Sequence, residues 1–145
     1  MELITPKIIN EHECYFREER KCLSSPNIVY CLYNNLSKLF KIGYTERRLQ
    51  TRINALQNQS GIELELFFAF NVKKDYKALS YEKAIHFILR SRRGIGEWFN
   101  LSISEALEIL NSLQTIEGLY EVNIDMQDLI EAEIDAEIEI ENNEY

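Results

Sequence analysis

The sequence is poor in cysteine, proline and glycine, and it contains no long apolar run. Its three cysteines, Cys14, Cys22 and Cys31, are an odd number without CxxC spacing, which argues against a disulfide framework and favours a reducing compartment. His12 with Cys14 and Cys22 does not have the spacing of a common zinc finger. No segment approaches the roughly 20 apolar residues of a membrane span, and the start of the chain lacks the pattern of a secretory signal. We therefore expect a soluble, cytoplasmic protein that does not bind a membrane.

Basic residues are absent from the last third of the chain. All 16 lysines and arginines lie at or before Arg93, together with 10 of the 24 acidic residues. Residues 94–145 contain the other 14 acidic residues and no basic one, so the net charge of −8 averages a basic body and an acidic tail. This division is typical of a domain that binds a polyanion, with a tail that regulates the binding surface or binds a protein partner.

Proline and charge divide the 145 residues into three parts around one apolar core. The parts are an N-terminal helical segment at 1–26, in which Thr5 and Pro6 have the pattern of a helix start, a central domain at 27–113 and an acidic C-terminal extension at 114–145. Within the extension, the apolar positions of residues 130–140 fit either a strand or a helix, and we favour a helix because alanine and glutamate favour that state.

Apolar periodicity predicts the elements of the central domain. Strands are predicted at 27–33, 38–43 and 61–72, and helices at 45–57, 78–91 and 102–113. Ser102 and Glu105 have the spacing of a capping box. Alternate apolar residues from Ile62 to Phe70 are predicted to share one side of the third strand. The sequence therefore predicts an α/β (α+β) fold, with a small three-stranded antiparallel sheet flanked by helices.

The first two strands are predicted to form a hairpin around a turn at residues 34–37. A closing pair of Tyr33 with Lys38 sets Tyr30 directly opposite Lys41, and opposed residues of an antiparallel pair project from the same face. We therefore expect a phenol beside an ammonium group, and we expect the charge of Lys41 to favour the ionised phenolate of Tyr30.

The stretch FKIGYTERRLQTR, residues 40–52, is strongly basic within an acidic chain. Its basic residues are Lys41, Arg47, Arg48 and Arg52. Arg48 and Arg52 are four residues apart in the predicted helix and share a face. Such a face is either simply solvated or in contact with the phosphates of an anionic partner. The turn RRGIG, with Arg92 and Arg93, allows the same two interpretations.

Several short motifs stand in a recognisable order. They are IVY at 28–30, KIG at 41–43, an arginine nine residues after that glycine, a helix with Glu82 and His86, and EWF at 97–99. This order resembles the GIY-YIG nuclease superfamily, and within it the phage-type DNA-binding branch whose second motif reads KIG. The likeness covers residues 27–113. The chain lacks the first glycine of GIY, has Lys41 at the second tyrosine, and has Leu56 where some members carry a histidine.

The resemblance implies a role for each matched residue. The catalytic candidates are Tyr30, Lys41, Arg52, Glu82 and His86; the nucleic-acid-binding candidates are Arg47, Arg48, Arg92 and Arg93; and the structural residues are Gly43, Trp98 and Phe99. Arg52 matches the essential arginine, whose planar guanidinium suits a phosphate. Glu82 matches the carboxylate that binds Mg²⁺ or Mn²⁺, and its oxygens are the hard ligands that these ions prefer.

Three functions fit this set of residues. The first is a metal-dependent endonuclease that cuts DNA, because phosphodiester hydrolysis needs cations on the phosphate, a base and an oriented water. The second is a DNA-binding module with weak or no turnover, since Lys41 replaces a motif tyrosine. The third is a protein whose acidic tail binds a basic partner. The residues do not distinguish DNA from RNA, nor one strand from two.

Overall fold

The computed structural model describes residues 4–20, 25–73 and 75–122. In chain order, the elements are α1 (Pro6–Phe16), β1 (Ile28–Asn34), β2 (Leu39–Thr45), α2 (Leu49–Ser60), β3 (Glu65–Val72), α3 (Ala78–Ile88), a 3₁₀ turn (Arg90–Arg92), β4 (Trp98–Phe99), α4 (Ile103–Gln114) and β5 (Leu119–Glu121). The α+β class is confirmed. None of the described helices is long and apolar enough to cross a membrane. Cys22 and the predicted helix at 130–140 lie outside the described residues.

Within the described residues, the sheet is antiparallel and has five strands in the order β4-β2-β1-β3-β5. The prediction of three strands is wrong in number, because two short strands extend the sheet at its edges. In β4, Trp98 pairs with Lys41 of β2, and in β5, Leu119 pairs with Val72 of β3. Strands of two and three residues are too short to show a recognisable periodicity in the sequence.

Two helices begin as the sequence predicts. Thr5 is the N-cap of α1, where its Oγ1 accepts a hydrogen bond from the backbone nitrogen of Ile8 at 3.2 Å, and Pro6 is the first helical residue. In α4, the capping box of Ser102 and Glu105 is present. The prediction for α2 starts too early, because β2 continues to residue 45 and a turn follows it.

The sheet separates two apolar clusters. Helices α1, α3 and α4 cover the larger one, which includes Ile9, Val29, Cys31, Phe40, Phe70, Ile85 and Ile109. Helix α2 covers the smaller one, which includes Ile28, Tyr30, Leu32, Leu49, Ile53 and Leu64. Alternation along β1 explains the division, because successive strand residues point to opposite faces of a sheet. Tyr30 therefore lies on the α2 face.

Strand β3 changes face in its middle. Phe68 pairs with Cys31, whereas Leu66 pairs with Leu32, so Phe67 is an extra residue in a β-bulge. Leu66 consequently packs on the α2 side, and Phe68 packs on the other side. The prediction that alternate residues of this strand share one side is therefore wrong, because the bulge shifts the alternation by one residue.

Helix α3 is capped by a residue distant in sequence. Its N-cap residue, Lys77, makes no side-chain cap hydrogen bond. Instead, Oδ1 of the buried Asn27 accepts from the backbone nitrogen of Ala78 at 2.7 Å. The Asn27 Nδ2 donates to the carbonyls of Val72 at 3.2 Å and Tyr76 at 2.6 Å. One side chain thus fixes the start of the helix that carries the candidate carboxylate and histidine.

Candidate active site

Tyr30 lies in β1 opposite Gly43, not opposite Lys41. The predicted register is wrong by two residues because the turn occupies residues 35–38, with Lys38 in the left-handed conformation at φ 62°. A shift of two residues preserves the face that each side chain points to. Tyr30 and Lys41 therefore still share the α2 face, as diagonal neighbours across the β1–β2 pair.

The ring of Tyr30 packs directly over Gly43. A Cβ on residue 43 would lie 2.6 Å from Oη and 2.7 Å from Cζ of Tyr30. Heavy atoms that are not bonded do not approach so closely, so the ring can take this position only above a glycine. Gly43 of the KIG motif thus allows the phenol ring of Tyr30 to lie close against the backbone of β2.

We expect Gly43→Ala to lower the free energy of unfolding by about 1–3 kcal/mol, because added atoms in a filled core force neighbouring groups aside. Urea denaturation of the two proteins measures the loss. The same substitution in a Tyr30→Leu background should cost clearly less, since the obstructing ring is absent there. Equal losses in the two backgrounds would show that the ring of Tyr30 is not what restricts residue 43.

Arg52 on α2 contacts the hydroxyl of Tyr30. Its Nε donates a hydrogen bond to Tyr30 Oη at 3.2 Å. The pKa of Tyr30 is raised, because burial outweighs the charge of Arg52 and the carboxylates of Glu97 and Glu82 act in the same direction as burial. The expectation that Lys41 favours the phenolate is therefore wrong. The phenol stays protonated at neutral pH, and the cation that opposes burial is Arg52.

Lys41 is paired with a carboxylate. Its Nζ lies 2.9 Å from Oε2 of Glu97, and the side chain of Lys41 is only 10% exposed. The same Nζ lies 5.7 Å from the ring centroid of Trp98, which is half-buried. The ammonium group is thus held in place by Glu97, and a phosphate that approaches it competes with this carboxylate.

Glu82 is buried on α3 with one oxygen unpartnered. Its Oε2 makes no hydrogen bond to any described residue, and its Oε1 lies 3.6 Å from Nδ1 of His86. Burial, together with the nearby charge of Glu97, raises the pKa of Glu82 to about 7, although neighbouring cations oppose the effect. A buried carboxylate oxygen without a hydrogen bond is unfavourable, so Oε2 of Glu82 is a candidate atom for binding a ligand.

His86 lies between the sheet and Glu82. Its Nε2 is 2.6 Å from the carbonyl oxygen of Ile42, and because a carbonyl only accepts, this nitrogen carries the hydrogen. Nδ1, which faces Glu82, is then the nitrogen that can accept a proton. Burial lowers the pKa of His86, so the ring is neutral at neutral pH. The fully buried Phe99 packs against it, with ring centroids 4.9 Å apart.

Glu97 acts electrostatically on the Tyr30–Arg52 pair and on the Glu82–His86 pair. It is not among the site residues predicted from the sequence. Its charge acts on the pKa values of Tyr30, Arg52, Glu82 and His86. One signal was present, because Glu97 directly precedes the Trp-Phe pair. Its importance depends on the pairing of β4 with β2, which brings it to Lys41. Nothing local in the sequence distinguishes it from the other acidic residues.

The other candidate arginines lie at two places. Arg47 is exposed and Arg48 is the N-cap of α2, so both precede the helix that carries the site arginine. Arg92 pairs with Glu105 of α4 at 3.0 Å. Arg93 donates from Nε to a backbone carbonyl of the next turn, and its charge is one of those that lower the pKa of the buried carboxylate. Arg47 and Arg48 thus add positive charge before the helix that carries Arg52, and Arg92 links the 3₁₀ turn to α4.

The residues present fit a divalent cation only in part. The unpartnered oxygen of Glu82 is the kind of hard ligand that Mg²⁺ or Mn²⁺ prefers. Among the described residues, however, no group of three or more His, Cys, Asp or Glu side chains is placed to hold a metal ion. An ion on Glu82 would therefore take its other ligands from water and from a bound phosphate, which is common for Mg²⁺.

Comparison with known proteins identifies the domain. The T5orf172 domain, a phage-associated domain related to nuclease-type domains, matches residues 27–114. No curated protein and no solved structure matches the chain. The matched range contains β1 to β4 and every site residue described above, from Tyr30 to Phe99. Since it spans more than half of the 145 residues, the chain belongs to the T5orf172 domain family.

Proposed function

We propose that the chain is an endonuclease of the GIY-YIG type, which hydrolyses DNA phosphodiester bonds with the help of Mg²⁺ or Mn²⁺. The family supports a nuclease or DNA-binding role in general terms. The observation that carries the proposal is the Tyr30–Arg52 contact at 3.2 Å, together with a buried carboxylate, Glu82, whose Oε2 has no partner among the described residues and whose charge raises the pKa of Tyr30. The charge of Glu97 raises the pKa values of both Tyr30 and Glu82, which links these two groups electrostatically.

The cations of the site bind the phosphate in this proposal. Arg52 moves its guanidinium from the phenol to two phosphate oxygens, which its planar geometry suits. This movement also uncovers the hydroxyl of Tyr30, which is fully buried beneath it. The protonated phenol then donates a hydrogen bond to the phosphoryl group, where negative charge develops in the transition state.

The proton acceptor of the proposed reaction is His86. Its ring is neutral at neutral pH because burial lowers its pKa, and Ile42 holds the ring so that Nδ1 is the accepting nitrogen. A divalent ion bound by Glu82 would supply charge neutralisation at the phosphate and a more acidic water. His86 then takes the proton of the attacking water, and Glu82 holds the imidazolium that results.

A second candidate is a DNA-binding module without turnover. Two observations favour it: the ammonium group of Lys41 is already paired with Glu97 at 2.9 Å, and the Tyr30 side chain is fully buried. Such a module keeps the phosphate contacts of Arg52 and its neighbours. Its DNA affinity should then fall steeply with salt, because each phosphate contact releases counterions from DNA.

A cleavage assay on plasmid DNA with Mg²⁺ or Mn²⁺ separates the two candidates. We expect metal-dependent cutting by the wild type, and a loss of about 100-fold or more in Arg52→Ala and in Glu82→Gln, as for the removal of a group that stabilises the transition state. Lys7→Ala is the control, since it removes an exposed positive charge from α1. Cutting that survives both site substitutions would contradict the endonuclease. Salt-sensitive binding without cutting would favour the second candidate.

A further inference from the structure

A cavity of about 220 Å³ opens beside the proposed phosphate site. It lies between the C-terminal half of α2 and the β2–β4 edge of the sheet, and its lining residues are Lys41, Leu56, Gln59, Ser60, Leu64 and Trp98. It is smaller than the roughly 300–1,000 Å³ of sites for drug-sized ligands. The volume therefore suits one planar ring system better than a whole nucleotide.

The walls of the cavity combine a flat aromatic surface with a polar edge. Trp98 is half-buried and contributes its indole, and two leucines close the apolar side. Gln59 near the end of α2 makes no side-chain hydrogen bond within the part of the chain that the structure describes, so both its amide donor and its acceptor are available. An aromatic face with a free amide is the combination that recognises a nucleobase by stacking and by edge hydrogen bonds.

The position of the cavity connects it with the phosphate site. Lys41 belongs to both, because its Nζ bonds Glu97 while its side chain lines the cavity wall. Trp98 pairs with Lys41 across β2 and β4 and directly follows Glu97. A nucleotide whose phosphate contacts the site cations therefore has its base at the mouth of this cavity.

We propose that this cavity is a subsite for one unstacked nucleobase of the bound DNA strand. The base stacks on the indole of Trp98, and its edge bonds the amide of Gln59. The inference rests on the DNA binding of the proposed function, but it does not require cleavage. It gives the chain a contact with base edges, which carry sequence information, in addition to contacts with phosphates, which do not.

Intrinsic fluorescence tests the proposal directly, because Trp98 is the one tryptophan of the 145 residues. The wild-type chain is titrated in EDTA with a short single-stranded oligodeoxynucleotide and with an abasic strand of the same length. Binding of each strand is measured independently by gel mobility. We expect the intact strand to quench the fluorescence to saturation, and the abasic strand to bind without quenching.

Two variants sharpen the test. Gln59→Ala should reduce the preference among homopolymeric strands of the four bases while leaving the salt dependence of binding unchanged. Gln50→Ala, which removes a half-buried amide from the first turn of the same helix, should leave both unchanged. Trp98→Ala should weaken binding of the intact strand by about tenfold, within the range for one base–aromatic stack.

The outcomes distinguish this inference from the proposed function. Binding of the intact strand without quenching, or equal quenching by the abasic strand, overturns the nucleobase subsite alone. No binding of either strand at low salt overturns the subsite together with DNA binding. Quenching by the intact strand alone, in a protein that cuts no DNA with metal, supports the subsite and overturns only the endonuclease.

Discussion

Replacing Asn27 by alanine is expected to lower the free energy of unfolding by about 3 kcal/mol or more. Asn27 is 1% exposed, and its amide makes three hydrogen bonds, to the backbone nitrogen of Ala78 and to the carbonyls of Val72 and Tyr76. Alanine leaves these three groups without a partner, and each unsatisfied buried group costs about 1–3 kcal/mol. Urea denaturation monitored by circular dichroism measures the loss.

The effect should also reach the candidate site, because the side chain of Asn27 supplies the cap hydrogen bond that Lys77 does not make at the start of α3. Asn27→Asp keeps the acceptor for the helix but turns a carboxylate oxygen towards two carbonyls, so we expect it to be no less damaging at neutral pH. Asn35→Ala is the control, since this exposed turn residue bonds only the exposed Lys38 at 2.7 Å. It should change stability by less than about 0.5 kcal/mol. A similarly small loss for Asn27→Ala would mean that water replaces the lost amide.

Replacing Glu82 by glutamine is expected to stabilise the protein above neutral pH in the absence of metal. The pKa of Glu82 is raised from its ordinary 4.5 to about 7, mainly by burial. Between these two values the folded state holds a proton that the unfolded state has released, so stability falls as pH rises through this window. Above it, the penalty for the ionised carboxylate reaches about 3 kcal/mol, since one pKa unit corresponds to about 1.4 kcal/mol.

The signature of this effect is its pH dependence. In EDTA, the unfolding free energy of Glu82→Gln should exceed that of the wild type by up to about 3 kcal/mol at about pH 8, and the two should converge below about pH 4.5. Glu11→Gln, an exposed change on α1, is the control and should track the wild type. A difference in unfolding free energy between Glu82→Gln and wild type that does not vary with pH would show that burial does not destabilise the ionised carboxylate. The stabilised variant should also be the inactive one, as is common for charged groups retained for function.

Local patterns were sufficient to predict the helices of this fold and to select two residues that lie in contact at its candidate site. The cap at Thr5 and the capping box at Ser102 are read from side chains within three residues of the helix start, and both are present. Tyr30 and Arg52 were each chosen as site residues from a motif order, and a nitrogen of Arg52 lies 3.2 Å from the hydroxyl of Tyr30. Both kinds of information depend on short spacings that the sequence displays directly.

The features that escaped prediction depend on contacts between distant segments. Glu97 acquires its role only because a two-residue strand places it 2.9 Å from Lys41, 56 positions earlier. The raised pKa of Glu82 follows from burial, which no local pattern reports. The observed turn has the predicted length of four residues but lies one residue later, because it includes Lys38 in a conformation that lysine seldom adopts.

The β-bulge at Phe67 reverses which face of the sheet alternate side chains point to within the eight residues of β3. Before the bulge, Leu66 packs in the apolar cluster that α2 covers. After it, Phe68 and Phe70 pack in the larger cluster on the opposite face of the sheet. A length change of one residue in the surface turn at 35–38 would leave both assignments intact. An insertion or deletion of one residue between Leu64 and Phe68 would turn the side chains of half the strand to the opposite face of the sheet. This short interval should therefore be the segment of the domain least tolerant of insertion or deletion.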